Sequence, residues 1–141
     1  MNPSNTNVGG WRDCQMRTQT MPALKTMLPA EVQAGIRAVN KLTSAGNQNP
    51  SIVTTSDELF LLSEIEIFGS TTYSFAGEGL QYDYYKAGNS KVKNRAGSAD
   101  FWLERSSFSQ NTSDFCDVHR TGSAFWHGAY NRLCVAFSFC L

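Results

Sequence analysis

Few side chains in this sequence are of the types that do covalent or metal chemistry. There are two histidines, His119 and His127, and four cysteines, Cys14, Cys116, Cys134 and Cys140. Cys116 and His119 lie three apart in the string CDVH, and a histidine that takes a thiol proton makes a nucleophilic thiolate. On a strand, residues i and i+3 point to opposite faces, so this pair is not expected to meet. Asp117 and His119 share a face there, and the carboxylate could orient the imidazole. Two ligands are too few for a metal. Glu64 and Glu66 look like paired carboxylates, but Ser63 with Glu66 three residues on has the pattern of a capping box, which makes them a solvated helical turn. The cysteines show no CxxC spacing, so no structural zinc site is expected. GxSxG and HExxH strings are missing, and Gly77 and Gly79 lack the third glycine of a dinucleotide-binding turn. No catalytic residue, metal ligand or cofactor is assigned.

Recognition is the chemistry that remains. From Phe101 to Leu141 the chain holds nine aromatic residues, both histidines, Arg105, Arg120 and Arg132, and no lysine; the last lysine is Lys93. Trp, Tyr and Arg give large contact area at small entropic cost, whereas lysine is depleted from interface cores. If FCDVHR is a strand, Cys116, Val118 and Arg120 take one face and Phe115, Asp117 and His119 the other. The small apolar pair Cys116 and Val118 suits a core, which sends Asp117 and His119 outward. Phe125, Trp126, His127 and Tyr130 sit among Gly122, Gly128 and Asn131 without strand alternation, the setting of an exposed functional loop. Alternation assigns Phe137 and Phe139 to the core.

The elements that must position these residues are short. Trp11 to Leu28 has helical spacing, with Asp13 as a cap and Pro22 either separating two short helices or opening the second. PAEVQAGI predicts another helix, Ile36 to Leu42 an extended segment, and Thr43 to Ser51 a loop. ELFLLS reads as a buried strand, and QYDYYKAG as a helix stopped by Gly88. NSKVKNRAGSA is a solvated polar loop with three cationic residues. Strands are predicted at Phe101–Ser106, Phe115–Arg120 and Val135–Leu141, with Ser123–Tyr130 pairing against the second across a Thr121-Gly122 turn. Helices first and short strands later give an α+β class with an antiparallel sheet.

The chain has 141 residues, 41% hydrophobic and 17% charged, with a formal net charge of zero. That is one globular domain with one core. No basic stripe exists, so nucleic acid is not an expected partner. No apolar run is long enough to insert in a membrane. MNPSNTNVGG has no basic or apolar stretch of a signal peptide, which favours free thiols over disulfides. Residues 1–8 read as a polar lead-in and 9–141 as the folded domain.

Strings along most of the chain then carry a resemblance. GGWRDCQMRT (Gly9–Thr18), VNKLTSAG (Val39–Gly46), TTSDELFLLSEIEIFG (Thr54–Gly69), QYDYYKAGNSKVKNRAGSA (Gln81–Ala99), FWLERS (Phe101–Ser106) and VAFSFC (Val135–Cys140) occur in that order. Together they resemble a C-type lectin-like domain of phage and prophage tail-associated proteins, several of which resemble the variable proteins of diversity-generating retroelements. The W-x-x-R-S strand of that pattern falls on Trp102, Arg105 and Ser106, and the F-C-x-V strand on Phe115, Cys116 and Val118. The sequence departs from it at Ser107, where proline is usual, at Ser138 in place of a glycine, and at Cys134, where glycine is common. The EPN, QPD and WND strings of calcium-dependent lectins are missing, so no calcium site is implied.

The resemblance implies a C-type lectin-like fold, with short N-terminal helices and a twisted antiparallel sheet in the C-terminal half. It implies a diversified, displayed C-terminal surface that binds a bacterial cell-surface receptor, protein or glycan, from a virion tail or a cell surface. The ligand-binding set carried over is Asp117, His119, Arg120, Phe125, Trp126, His127, Tyr130, Arg132 and Leu133, with Phe108, Gln110 and Asp114 as weaker members. Cys134 would be a diversified, exposed thiol, and a Cys116–Cys140 bond between neighbouring strands stays open. Such a protein is not an enzyme and is displayed as a homo-oligomer or in multiple copies. The competing readings are a structural tail or adhesin module without diversification, and a thiol-dependent enzyme using Cys116 or Cys134.

Overall fold

The computed structural model describes residues 1–141, an α+β chain of five short helices and three small antiparallel sheets. Helix α1 (Gly10–Asp13) is followed by one π-turn (Met16–Thr20), α2 (Met21–Lys25) and α3 (Ala30–Gly35). Pro22 opens α2, where its missing N–H costs nothing. Asp13 caps no helix. It ends α1 and holds Arg12 at 2.8 Å. No helix is long and apolar enough to cross a membrane.

Strands β1 (Val39–Gly46) and β2 (Asn49–Asp57) form a hairpin across the segment read as a loop. Its two turn residues, Asn47 and Gln48, both have positive φ, 54° and 57°, the turn geometry that matches strand twist. Gln48 is not a residue that advertises such a turn. The hairpin end lies against the chain's beginning. A Cβ on Gly46, at φ 71°, would stand 1.9 Å from the Asn7 carbonyl oxygen. Asn7 is fully buried and its amide donates to the carbonyls of Asn111 and Asp114 at 3.0 and 2.9 Å. Residues 1–8 are therefore part of the folded body.

Helix α4 (Glu64–Phe68) opens with the expected capping box of Ser63 and Glu66. Both acids are buried, however, not solvated. Glu64 accepts from the backbone N–H groups of Thr72, Tyr73 and Ser74 and from the Ser74 hydroxyl. Glu66 accepts from Lys41 and Arg105, each at 2.5 Å. Leu59 to Leu62 is buried but is not a strand. Its backbone bonds go to separate places, Phe60 to Ser138 and Leu62 to Arg105. Helix α5 (Asp83–Lys86) is shorter than expected, and the cationic loop after it contains a small hairpin, β3 (Lys93–Arg95) and β4 (Ser98–Asp100).

The main sheet has the order β5-β6-β7, formed by Trp102–Ser107, Asp114–Val118 and Ala124–Gly128. Its first pair shifts register between Leu103 and Ser107. The shift frees the Arg105 N–H to bond the Leu62 carbonyl at 2.9 Å. The Arg105 side chain, fully buried, donates to the carbonyls of Leu42, Leu61 and Glu78 and to the Glu66 carboxylate. The Ser106 hydroxyl donates to the buried Glu78 carboxylate. The expected last strand is not formed. Cys134, Ser138 and Cys140 each make a single bridge, to Trp102, Phe60 and Arg37, and Phe137 and Phe139 pack half-buried against the core. All four cysteines are free, and Cys116 and Cys140 are not bonded.

Glu104 is fully buried and neither carboxylate oxygen has a partner. Burial, then the charges of Glu64, Asp117 and Glu78, push its carboxyl well above the usual range. The fold therefore favours the protonated acid. That contribution is complete below the unfolded value of about 4.3 and is lost as pH rises through the folded value. Glu104→Gln, which copies the neutral form, is expected to fold and to lose less stability than the wild type as pH rises from about 4.3. Thermal melts across that range check this, and equal slopes for the two proteins would refute it.

Candidate functional site

The candidate residues are placed by β6 and β7. Strand β6 is the middle strand, and β7 is the edge. Phe115, Cys116, Asp117 and Val118 are all buried, so both faces of β6 are covered and Asp117 does not project outward as expected. Antiparallel register sets Asp117 opposite Phe125, Cys116 opposite Trp126 and Phe115 opposite His127. Phe125, Trp126 and His127 thus belong to a strand rather than a loop, and they are half-buried.

Their rings form a continuous row. Trp126 stacks on Phe108 at 5.0 Å with planes 5° apart, and it meets Tyr73 at 4.6 Å. Phe125 lies 4.9 Å from Trp126 and 6.0 Å from Phe101. Both imidazoles stand edge-on to Phe101, His119 at 4.7 Å and His127 at 4.8 Å. Such stacked and edge-to-face pairs contribute beyond their buried area. Phe108 is buried and backs the row. Phe101 and Tyr73 belong to it but were not singled out from the sequence. The density of aromatics after residue 100 was the available signal for Phe101. Tyr73 lies in a loop that gave none.

The two histidines are held in opposite tautomers. Once Asp117 is ionised, above about 6, its Oδ2 accepts from His127 Nδ1 at 2.6 Å, which leaves Nε2 of the neutral imidazole as an acceptor. His119 Nδ1 accepts the Thr121 backbone N–H at 3.1 Å, so its Nε2 carries the hydrogen. The face therefore offers one imidazole donor and one imidazole acceptor on either side of Phe101. Asp117 acts on this face only through His127. Its other oxygen has no partner, and burial raises its carboxyl to about 6, against the opposing pull of His127.

The other candidates lie elsewhere. Arg120 is exposed at the β6–β7 turn and Gln110 is exposed before β6. Asp114 is half-buried, and its carboxylate accepts from Asn111 at 2.7 Å. Tyr130, Arg132 and Leu133 line a separate groove with Met1–Pro3, Gln15, Met16, Thr20, Leu103 and Asn131. A turn sets them there: the Asn131 N–H bonds the Gly128 carbonyl at 2.9 Å. A Cβ on Gly128 would stand 3.0 Å from the Tyr130 ring.

The two thiols with candidate roles, Cys116 and Cys134, are both raised above the ordinary thiol value. Burial, followed by Glu104 and other nearby acids, pushes Cys116 well above its ordinary value. Cys134 is only half-buried, and it is raised by burial and by its bond to Asp100. Both shifts run opposite to the lowered value of an activated cysteine. No set of three or more His, Cys, Asp or Glu side chains converges so as to hold a metal ion.

The fold favours protonated Asp117, a contribution complete below about 3.9 and lost as pH rises through about 6. Asp117→Asn cannot ionise. Its stability relative to wild type is expected to rise by up to about 3 kcal/mol between pH 4 and pH 7. Urea unfolding at both pH values measures this, and a constant difference would exclude the assignment.

None of the curated proteins and none of the solved structures compared with this chain matches it. A family model described as a domain of unknown function, DUF6273, matches residues 1–141. With the match running the length of the chain, the chain belongs to the DUF6273 family.

Proposed function

We propose that this chain is a ligand-recognition domain of C-type lectin-like fold that attaches a phage tail to a bacterial surface receptor. It works by non-covalent binding and needs no cofactor. The observation that carries the reading is the row of half-buried rings on edge strand β7, with two histidines of opposite hydrogen-bonding character set into it. Aromatic anchors over a rigid sheet give contact area with little ordering cost. Phe125 and Trp126 are the anchors. His119 and His127 adjust polarity, and Arg120, exposed and without an ion pair, supplies forked hydrogen bonds. Weak single sites gain from display in several copies through effective concentration.

Trp126→Ala is expected to weaken binding of the purified domain to host cells by about 2 kcal/mol, roughly thirtyfold. Circular dichroism should be unchanged. Unaltered cell binding removes Trp126 from the site, and retention by virion proteins instead of cells turns the reading to a structural tail subunit. Burial also divides the diversified set. Among related isolates, substitutions are expected at Arg120, Tyr130 and Arg132, which are exposed, and not at Phe115, Cys116, Asp117 or Val118, which are buried. Sequencing the gene across isolates tests this. Equal variation at the buried positions would sink the diversified-surface reading.

A further inference from the structure

The formal net charge of zero conceals an uneven distribution. Six of the twelve acidic residues are buried, Asp57, Glu64, Glu66, Glu78, Glu104 and Asp117, against two of the twelve cations, Lys41 and Arg105. Ten cations and six acids are left outside the interior, so the surface that a partner meets is basic. Many of those cations are matched, Arg12 by Asp13, Arg17 by Asp57, Lys25 by Glu58 and Arg95 by Asp100. Lys91, Lys93 and Arg120 belong to no ion pair.

Contacts link these three to one end of the aromatic row. The Lys91 carbonyl accepts from Trp102 Nε1 at 2.9 Å, and Lys93 Nζ stands 4.9 Å from the centre of the Trp102 indole. Lys91 Nζ lies over the Phe68 and Tyr85 rings at 5.6 and 5.9 Å. Rings steady an ammonium but, unlike carboxylates, leave its charge uncancelled. Lys91 and Val92 pack on the β6–β7 turn, where a Cβ on Gly122 would stand 3.7 Å from the Lys91 Cβ and 3.3 Å from the Val92 side chain. Arg120 is exposed in that turn. Asp83, exposed and unpaired, lies apart on α5, one turn from Lys86. Next to Arg120, His119 meets Phe101 and Phe125 at 4.7 and 5.4 Å. Away from the turn the row continues through Trp126 to Phe108 and Tyr73.

A strand of nucleic acid, with a phosphate on every nucleotide, would need cations along the whole row. Here they stand at one end of it. A sugar ring suits the rest, because its C–H face is drawn to the negative face of an aromatic ring. Its hydroxyls both donate and accept, which matches the His119 donor and the His127 acceptor. We propose that the β7 face binds an acidic saccharide, a neutral sugar lying on Phe125 and Trp126 while an adjoining acidic sugar faces the cations of Arg120, Lys91 and Lys93. This rests on the reading of that face as the recognition site and names its ligand class.

The test is a titration of the ¹⁵N-labelled full chain at pH 7, followed by amide chemical shifts. The probes are a hyaluronate tetrasaccharide, in which acidic and neutral sugars alternate, and its methyl ester, which keeps the rings and lacks the charge. Tetraglutamate and a thymidine tetranucleotide carry charge on other backbones. Saturable shifts are expected at Lys93, Arg120, Phe125 and Trp126 with the acid, with about tenfold weaker binding of the ester and weaker binding still of the other two. Lys91→Gln combined with Lys93→Gln should cut the preference for acid over ester to about threefold. Neither lysine makes an ion pair, so this variant should keep the wild-type spectrum elsewhere. Trp126→Ala should weaken acid and ester alike. Equal binding of acid and ester, both weakened by Trp126→Ala, overturns the proposal and leaves the recognition face standing. Acid binding that Trp126→Ala does not change overturns the recognition face as well. Tetraglutamate or the nucleotide binding as tightly as the acid, full preference in the lysine variant, or no saturable shift with the acid also overturns the proposal.

Discussion

The buried guanidinium of Arg105 is the interaction on which the rest of the molecule depends. All five of its N–H bonds are used, on Leu42, Leu61, Glu66 and Glu78. Those partners belong to β1, the coil before α4, α4 itself and the loop before α5. One side chain thus ties together pieces that share no sheet. A charge this deep is tolerable only when it is paired and fully bonded. Glu66 supplies the counter-charge, and Lys41 binds the same carboxylate. The small sheets and short helices could not bury enough by themselves to fix their mutual positions, and this polar junction does so directionally.

The surface inherits that rigidity in steps. Strand β5 is anchored by Arg105 and Ser106, β6 lies on β5 with both faces covered, and β7 lies on β6 with one edge free. The aromatic row therefore rests on a strand that cannot move without breaking the core. Asp117 continues the chain of constraint into the surface by fixing which nitrogen of His127 carries a proton. Glu104, buried in the same interior as Glu64, Glu78 and Asp117, has its carboxyl pushed well above the usual range, which favours its neutral form there.

Local signals were legible where one residue type dictates one conformation. Ser63 with Glu66 gave the capping box, Thr121-Gly122 the turn, and Pro22 the start of α2. The apolar strings around Trp102 and Phe115 gave β5 and β6. Misreadings arose where tertiary contacts overrode local preference. Gln48 takes a left-handed conformation because the hairpin end is held against Asn7. The apolar run at Leu59–Leu62 is buried without a strand because its carbonyls and N–H groups serve Arg105 and Ser138. Asp117 and Glu64 were expected at the surface because charged side chains usually are. Nothing in the spacing announces that a histidine or a row of backbone amides will bond them. The candidate surface was legible as a composition, aromatics with Arg and His after residue 100. Its division into a ring row and a separate groove was not, because the groove is completed by residues near Met1 and Met16, more than a hundred positions away.

The reach of Arg105 along the chain also bears on how the protein is made. Its partners stand 27 to 63 residues before it. Asn7 bonds residues more than a hundred positions later. Contacts of such long range put this domain among slow-folding topologies, because the loops must close before the bonds reward closure. During synthesis, β1, α4 and the Glu78 loop leave the ribosome with their junction missing. Glu66 and the Glu78 carbonyl wait for an arginine not yet translated. Until β5 emerges the first hundred residues have only contacts such as Trp11 with Asp57 and Lys41 with Glu66 to hold them, and the junction of their elements stays open to aggregation.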